Sequence, residues 1–552
     1  MNGDVTVQMT FDKNSITDIS VEGDKETPGI GTLALEQLPD TILKAQSAEI
    51  DGIASATITS DAILMAAAAS AGQNGASVIV LEANGIVGGS TIRSGGHMLV
   101  FDNKINASME RNDKTLESYL EYDPGEFGEW KDTLLTLQEQ IKSYLSGNDA
   151  GRFDSVEMAL IDHYIKGRGK DIDGNDVTID FELCRNAFEN AAAINSWLGE
   201  GGMKIQDKMY NAHGGTPVDG ASAMVNALQT MAEASGAKII LNMRATDLIV
   251  ENGSVTGVTA VDSNGTKHTY HAQKGVILAT GSFSSNGAMC AQYQRMETGL
   301  TANVGSTNPA TNTGDGIIMA ENAGAALRDM GLLCTLMKGY HEGCSTGEFG
   351  KINGTQQLIV NAEGKRFMDD VKAGGMTTTG VLNSQPDGLA YFVGDSSMIH
   401  ALNESVEGFV DDMCSRGDWF VVADSLEEAL AKSGLDVETA METITTFNGY
   451  VDAGTDPDFG RTAFNGKVEN GPFAAVKMEN HYHLTFGGLV IDTDAQVLDE
   501  NNQPIPHLYA AGDVISGFEG AAHQSGDCLT VVLFYGKVAG QKAALRQGGH
   551  PG

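Results

Sequence analysis

Residues 51–96 read DGIASATITSDAILMAAAASAGQNGASVIVLEANGIVGGSTIRSGG, and the order of patterns in this run limits the fold more than any other part of the chain. ASVIVLE is a short, wholly apolar segment of the kind buried on both faces of a parallel sheet. It ends in Glu82, and the glycine-rich stretch GIVGGSTIRSGG follows closely. At the carboxyl end of the second strand of a doubly wound α/β unit, a carboxylate can accept both hydroxyls of a ribose. Gly88, Gly89, Gly95 and Gly96 would let backbone N–H groups approach phosphate with no Cβ in the way. Such a unit begins one strand earlier, with an apolar strand and a G-x-G-x-x-G turn. Here an alanine-rich helix over 61–71, capped by Ser60 or Asp61, precedes the Glu82 strand, and that first strand and its glycine turn are absent. The expectation is a parallel sheet without its central strand, and a pyrophosphate without its usual helix N-terminus.

A chain of 552 residues is too long for one simple core, so two or three domains are expected. With 41% hydrophobic and 20% charged residues the composition is globular. The 68 glycines against 11 prolines suit a backbone that meets a large ligand at many places. A net charge of −38, spread along the chain, makes nucleic acid and anionic lipid poor partners. Cys184, Cys290, Cys334, Cys344, Cys414 and Cys528 form no C-x-x-C, which argues against zinc, iron–sulfur clusters and covalent haem, so no metal is expected. No run reaches the roughly 18–20 apolar residues of a membrane span. No charged-then-apolar leader opens the chain, although Met1 leads almost directly into strand-like sequence, as it would if a leader lay upstream.

Residues 3–22 alternate as a hairpin with a turn at Lys13-Asn14, and TPGIG then leads into a helix that runs to about Ala48. From 102 to 200 the pattern is helical, 221–242 reads as helix then strand, and 243–283 is a meander with Asn-Gly turns. A mixed α+β stretch follows to about 480, after which FGGLVID and HLYAAGDV restore the parallel pattern. The predicted architecture is an α/β dinucleotide-binding domain (67–332 and 484–552) with an inserted α+β capping domain (333–483). A small β-rich α+β module (1–66) precedes them.

KGVILATGSF sends a buried strand into a Thr280-Gly281 turn, and LYAAGDV does the same at Gly512-Asp513. A helix from about Ser525 could aim its positive end at a ligand. With VIVLEANGIVGGSTIRSGG, TGDGIIMA, NAEGKRF, FGR, HLTFGGLVID and SGDCLTVVLFYGKVAG, these strings make residues 67–540 resemble a flavoprotein family, that of soluble fumarate reductases (flavocytochrome c), urocanate reductases and ketosteroid dehydrogenases. The resemblance implies noncovalent FAD, held by Glu82, Gly88, Gly89, Ser90, Thr91, Ser94, Gly95, Gly96, Thr280, Gly281, His483, Gly512, Asp513, Ser525, Gly526 and Leu529. It also implies a cap that closes over the flavin, and hydride transfer between flavin N5 and an activated carbon–carbon bond. Residues 3–68 resemble the FMN-binding module that often precedes this domain. There DGIASAT matches the flavin-transferase motif D-x-x-(S/T)-G-A-T, except that Ala54 replaces Ser/Thr and Ser55 replaces Gly. Thr57 would carry FMN through a phosphoester, and Thr27, Gly29 and Gly31 would cradle it.

The departures from the family concern the substrate. Its H-P-T is Leu336-Met337-Lys338 here, its proton-donating Arg is Gly374, the second His of H-H-T-x-G-G is Leu484, and its carboxylate-binding Arg is His523. Fumarate would leave both carboxylates without those partners in a desolvated pocket, a cost of several kcal/mol. An enoate with one carboxylate, or an uncharged enone, fits better as the small organic electron acceptor. His213, His523, Tyr340 and His341 are the candidate proton donors. Arg93 is expected near the flavin, and Arg366 and Arg461 in structural roles. The first reading is a two-flavin reductase of anaerobic respiration, fed by an external electron-donor protein or a quinol-linked chain, without haem. A cell-envelope or extracytoplasmic location is what the resemblance implies. A ketosteroid-dehydrogenase-like oxidation is the second reading, and an FMN electron carrier with a defective FAD domain is the third.

Overall fold

The computed structural model describes residues 6–11, 16–22, 60–148, 150–209, 212–296, 300–340, 344, 346–370, 381–524 and 526–546. Strands β1 (Thr6–Phe11) and β2 (Ile16–Glu22) pair antiparallel with Thr6 opposite Glu22, the hairpin that the alternation predicts. Helix α1 (Ser60–Gln73) buries Ala62, Ile63, Met65, Ala66, Ala68 and Ala69 in the large core. Alanine lets it approach the C-terminal helix very closely: a Cβ on Gly540 would stand 2.2 Å from the Ala67 carbonyl oxygen. Gly75, at φ +84°, takes the left-handed conformation that turns the chain after α1.

Strand β3 (Ile79–Leu81) runs parallel to β4 (Lys238–Ile240), which follows helix α2 (Ala221–Ala234). Strands β5 (Met243–Glu251), β6 (Ser254–Asp262) and β7 (Lys267–His271) form the expected antiparallel meander. Strand β8 (Val276–Leu278) is parallel to the strand Pro504–Ala510, with Val276 opposite Leu508. In the doubly wound order 3-2-1-4, one strand belongs between β3 and β8. The described residues place none there. A cavity of about 620 Å³ fills the space instead, lined by Ile79, Leu81, Glu82, Ile277, Ala279 and Thr280 among others.

Backbone pairing shows that the cavity walls are strand edges. Lys238 N donates to the Val78 carbonyl and Glu82 N to that of Ile240, so residues 78, 80 and 82 face β4 while Ile79 and Leu81 face the cavity. Ala511 N donates to the Leu278 carbonyl, which turns Ile277 toward the cavity from the other side. The expectation that ASVIVLE is wholly buried is therefore corrected. Ile79 is 53% exposed, and the described residues place no strand beside it on this edge.

The cap is built on a five-stranded antiparallel sheet of β9 (Leu333–Gly339), β10 (Leu358–Asn361), β11 (Leu389–Gly394), β12 (Phe420–Ala423) and β13 (Phe473–Thr485). Period-two alternation splits its side chains between two cores: Ile359 and Phe392 pack on one face, Leu358, Val360, Tyr391 and Val393 on the other. Beneath this sheet Arg461, fully buried, donates to the Asp370 carboxylate at 3.1 Å, and Arg366 reaches Asp370 at 2.8 Å and Asp456 at 2.6 Å. Strands β9 and β13, paired with Leu333 opposite Thr485, run from the cap into the large core and bring Lys338 and His483 to the junction.

Candidate active site

Thr27, Gly29, Gly31, Thr57, His341, Gly374 and Ser525 lie outside the described residues. The other candidates fall into two groups. At the end of β3, Glu82 is buried, and its Oε1 accepts from Asn84 N and Nδ2, each at 2.6 Å. Gly88, Gly89 and Gly96 have φ of +134°, +52° and +70°, conformations that favour glycine. Ser90 and Thr91 are buried beside them, with Asn312 Nδ2 donating to Ser90 Oγ at 3.1 Å. Ser94 Oγ donates to the Thr91 carbonyl and accepts from Gly96 N, which fixes the loop through Gly95. Across the cavity Gly281 is at φ +74°, and Thr280 Oγ1 is buried with no partner among the described residues. This orphaned hydroxyl, the ribose-type carboxylate of Glu82 and the left-handed glycines suit the adenosine and phosphate end of FAD. The pyrophosphate's glycine turn is the part of the cradle that the described residues lack.

The second group surrounds helix α3 (Asp527–Leu545), whose first turn holds Leu529 and whose N-cap is Gly526 at φ +105°. Gly512, at φ +88°, turns the chain into Asp513, whose carboxyl is pushed up to about 6 by burial and by Glu519 against the opposing pull of His523. His523 Nδ1 lies 3.1 Å from Glu519 Oε1. Burial alone would depress the His523 imidazole, but Glu519, with Asp513 and Asp527, outweighs it and holds the ring above its ordinary value. Glu519, His523 and Cys528 each bring one ligand-type atom within 4.8 Å of the others. Burial and the nearby carboxylates push the Cys528 thiol well above its usual range.

His483 stands edge-on to His523, with ring centroids 6.1 Å apart and planes at 84°. Burial, then the charges of His523 and Lys338, pull its pKa down to about 3, so it is neutral. Its Nδ1 lies 2.6 Å from Thr307 Oγ1, and Asn308 Nδ2 donates to its carbonyl. Arg93 is exposed, and its Nη1 donates to the Thr307 carbonyl at 2.9 Å. Thr307, Asn308 and Glu519 were missed at the sequence level. Only the Glu519-x3-His523 spacing carried a local signal; Thr307 lies 176 residues from His483.

The structure corrects the proton-donor candidate His213 and places another, Tyr340, against the cap core. His213 is buried between carboxylates, with Nδ1 2.6 Å from Asp154 Oδ1 and Nε2 3.1 Å from Asp162 Oδ2. Burial works against its charge, yet Asp154 and Asp162 raise its pKa to about 9, which makes it a bridging cation with both nitrogens engaged. Tyr340 is half-buried against the cap core, its ring 3.7 Å from the Lys477 ammonium. His523 is the described candidate that stands beside both His483 and Asp513.

Residues 64–529 match the family model described as FAD binding domain, and residues 1–71 match the FMN-binding domain model. The chain is 29% identical to the NADH:acrylate oxidoreductase of Vibrio harveyi, over 98% of this chain and 60% of that protein. It is 27% identical to the urocanate reductase of Eggerthella lenta, over 98% of this chain and 90% of that protein. It thus spans less than two thirds of the Vibrio relative's length. Among solved structures, the open conformation of a flavocytochrome c3 fumarate reductase superposes with a TM-score of 0.68 at 24% identity, covering 88% of this chain and 77% of that one. No described helix is long and apolar enough to cross a membrane.

Proposed function

Because the chain belongs to the FAD binding domain family and carries an FMN-binding domain ahead of it, we propose that it reduces an activated carbon–carbon double bond of a small organic acceptor. Bound FAD would supply hydride, and FMN joined to Thr57 through a phosphoester would supply the electron relay from an external donor. The observation that carries this reading is the His523–Glu519 pair beside neutral His483. Glu519 raises the His523 imidazole above its ordinary value, which favours the protonated ring as the donor to the carbon adjacent to the one that takes hydride. His483 is neutral and cannot pair with a carboxylate as a charged residue would. That suits an enoate with one carboxylate, or an enone, better than a dicarboxylate.

Names of relatives support the same class: acrylate, in the Vibrio harveyi protein's name, is a mono-carboxylate enoate, and urocanate is another. Oxidation of a saturated ketone would need a base to remove a proton, whereas Glu519 stabilises an acid at this place. The test is anaerobic oxidation of reduced viologen by flavin-loaded protein with a panel of enoates, enones and fumarate. Turnover with mono-carboxylate enoates or enones and little with fumarate is expected. Fumarate as the best acceptor would overturn the substrate class, and no turnover with any acceptor would overturn the activity.

A further inference from the structure

The Thr307–His483 contact determines which nitrogen of His483 bears its proton. Thr307 is buried, and its backbone is held on both sides: its N donates to the Tyr482 carbonyl at 2.9 Å and its own carbonyl accepts from Arg93. Its hydroxyl has one partner among the described residues, His483 Nδ1 at 2.6 Å. A buried hydroxyl proton without an acceptor is costly, so the hydroxyl donates to Nδ1. An Nδ1 that accepts carries no proton. The charges of His523 and Lys338 nearby oppose a second proton on the ring, so the single proton sits on Nε2.

His483 is half-buried rather than sealed, and its ring stands perpendicular to that of His523. A neutral N–H donor beside a cationic proton donor is the arrangement that polarises a carbonyl. We propose that Thr307 is a positioning residue which holds His483 as an Nε2–H donor to the carbonyl oxygen of an α,β-unsaturated acceptor. This moves His483 from the flavin contact expected from the sequence to contact with the acceptor, and it rests on the reductase reading above. As hydride reaches the β-carbon, the C=C electron pair shifts toward the carbonyl and negative charge grows on its oxygen, where the Nε2–H bond strengthens. His523 then protonates the α-carbon, the carbonyl re-forms, and the saturated product leaves.

Two measurements test the proposal. The first is the 15N spectrum of histidine-labelled protein without acceptor, with His483→Gln used for assignment. It should show Nδ1 of His483 unprotonated and Nε2 protonated in the native chain, and a mixture of tautomers in Thr307→Val. A protonated Nδ1 in the native chain would overturn the proposal, and this result stands whether or not any acceptor is reduced. The second is steady-state kinetics at equal flavin content. Thr307→Val should lower kcat about tenfold with KM little changed, His483→Gln should lower it at least as far, and Thr307→Ser, which keeps the hydroxyl, should recover most of the native rate. A Thr307→Val variant with native kcat, or a Thr307→Ser variant as slow as Thr307→Val, would overturn it.

Discussion

His213→Gln is the substitution whose effect the structure defines most closely. In the native chain the His213 imidazole bridges Asp154 and Asp162, and it is 3% exposed, so solvent screens the pair little. Raising its pKa from 6.5 to about 9 corresponds to about 3 kcal/mol in favour of the charged ring. The folded value lies above the unfolded one. This stabilisation is therefore fully present below pH 6.5 and is lost as pH rises through about 9. Glutamine supplies no charge and leaves two buried carboxylates facing each other. Urea unfolding can be followed through Trp130, which stacks on Tyr164 at 5.0 Å two residues from Asp162. The variant should lose about 3 kcal/mol at pH 6, and the gap between variant and native should close to below about 1 kcal/mol at pH 10. A penalty that stays constant from pH 6 to 10 would refute the ionic bridge, as would the absence of any penalty at pH 6.

Three further outcomes follow from other contacts. Glu519→Gln removes the main support of the charged His523 ring, so the alkaline fall of kcat should move to lower pH; an unmoved limb would separate His523 from proton donation. The amides of Ile79, Leu81 and Ile277 face the cavity and should exchange hydrogen at least about tenfold faster than that of Val80; equal protection would mean that a strand fills the gap. Arg461→Met leaves Asp370 with Arg366 and the Ile359 N–H and should cost about 3 kcal/mol, read from the fluorescence of Trp419 in the cap; no loss would show that the buried arginine is dispensable.

Elements governed by local chemistry were legible in the sequence. The hairpin at 6–22, the meander at 243–271 and the helix after Ser60 follow from alternation, Asn-Gly turns and an alanine run, and each is present. The left-handed turns at Gly281 and Gly512 were legible because only glycine is easy there. The described residues place no strand between β3 and β8, and the exposure of Ile79 at that edge was not legible in the sequence. Apolar sequence shows what a strand would bury, while actual burial depends on a neighbour that the described residues do not supply. His213 illustrates the same limit: a histidine in NAHGGTPVDG looks like a proton donor until Asp154 and Asp162, 59 and 51 residues away, are placed against its two nitrogens. Contacts made by folding at such separations leave no periodic trace.

We propose a chain with two flavin sites, in which FAD is held although the described residues place no first strand in its cradle. A flavin inventory on protein made with and without a flavin transferase tests it most directly. The account predicts one covalent FMN that disappears in Thr57→Ala, and noncovalent FAD released by denaturation from both the native chain and that variant. Covalent FMN with no FAD retained would contradict it, because the open strand edges at Ile79 and Ile277 would then mark a cradle unable to hold its cofactor.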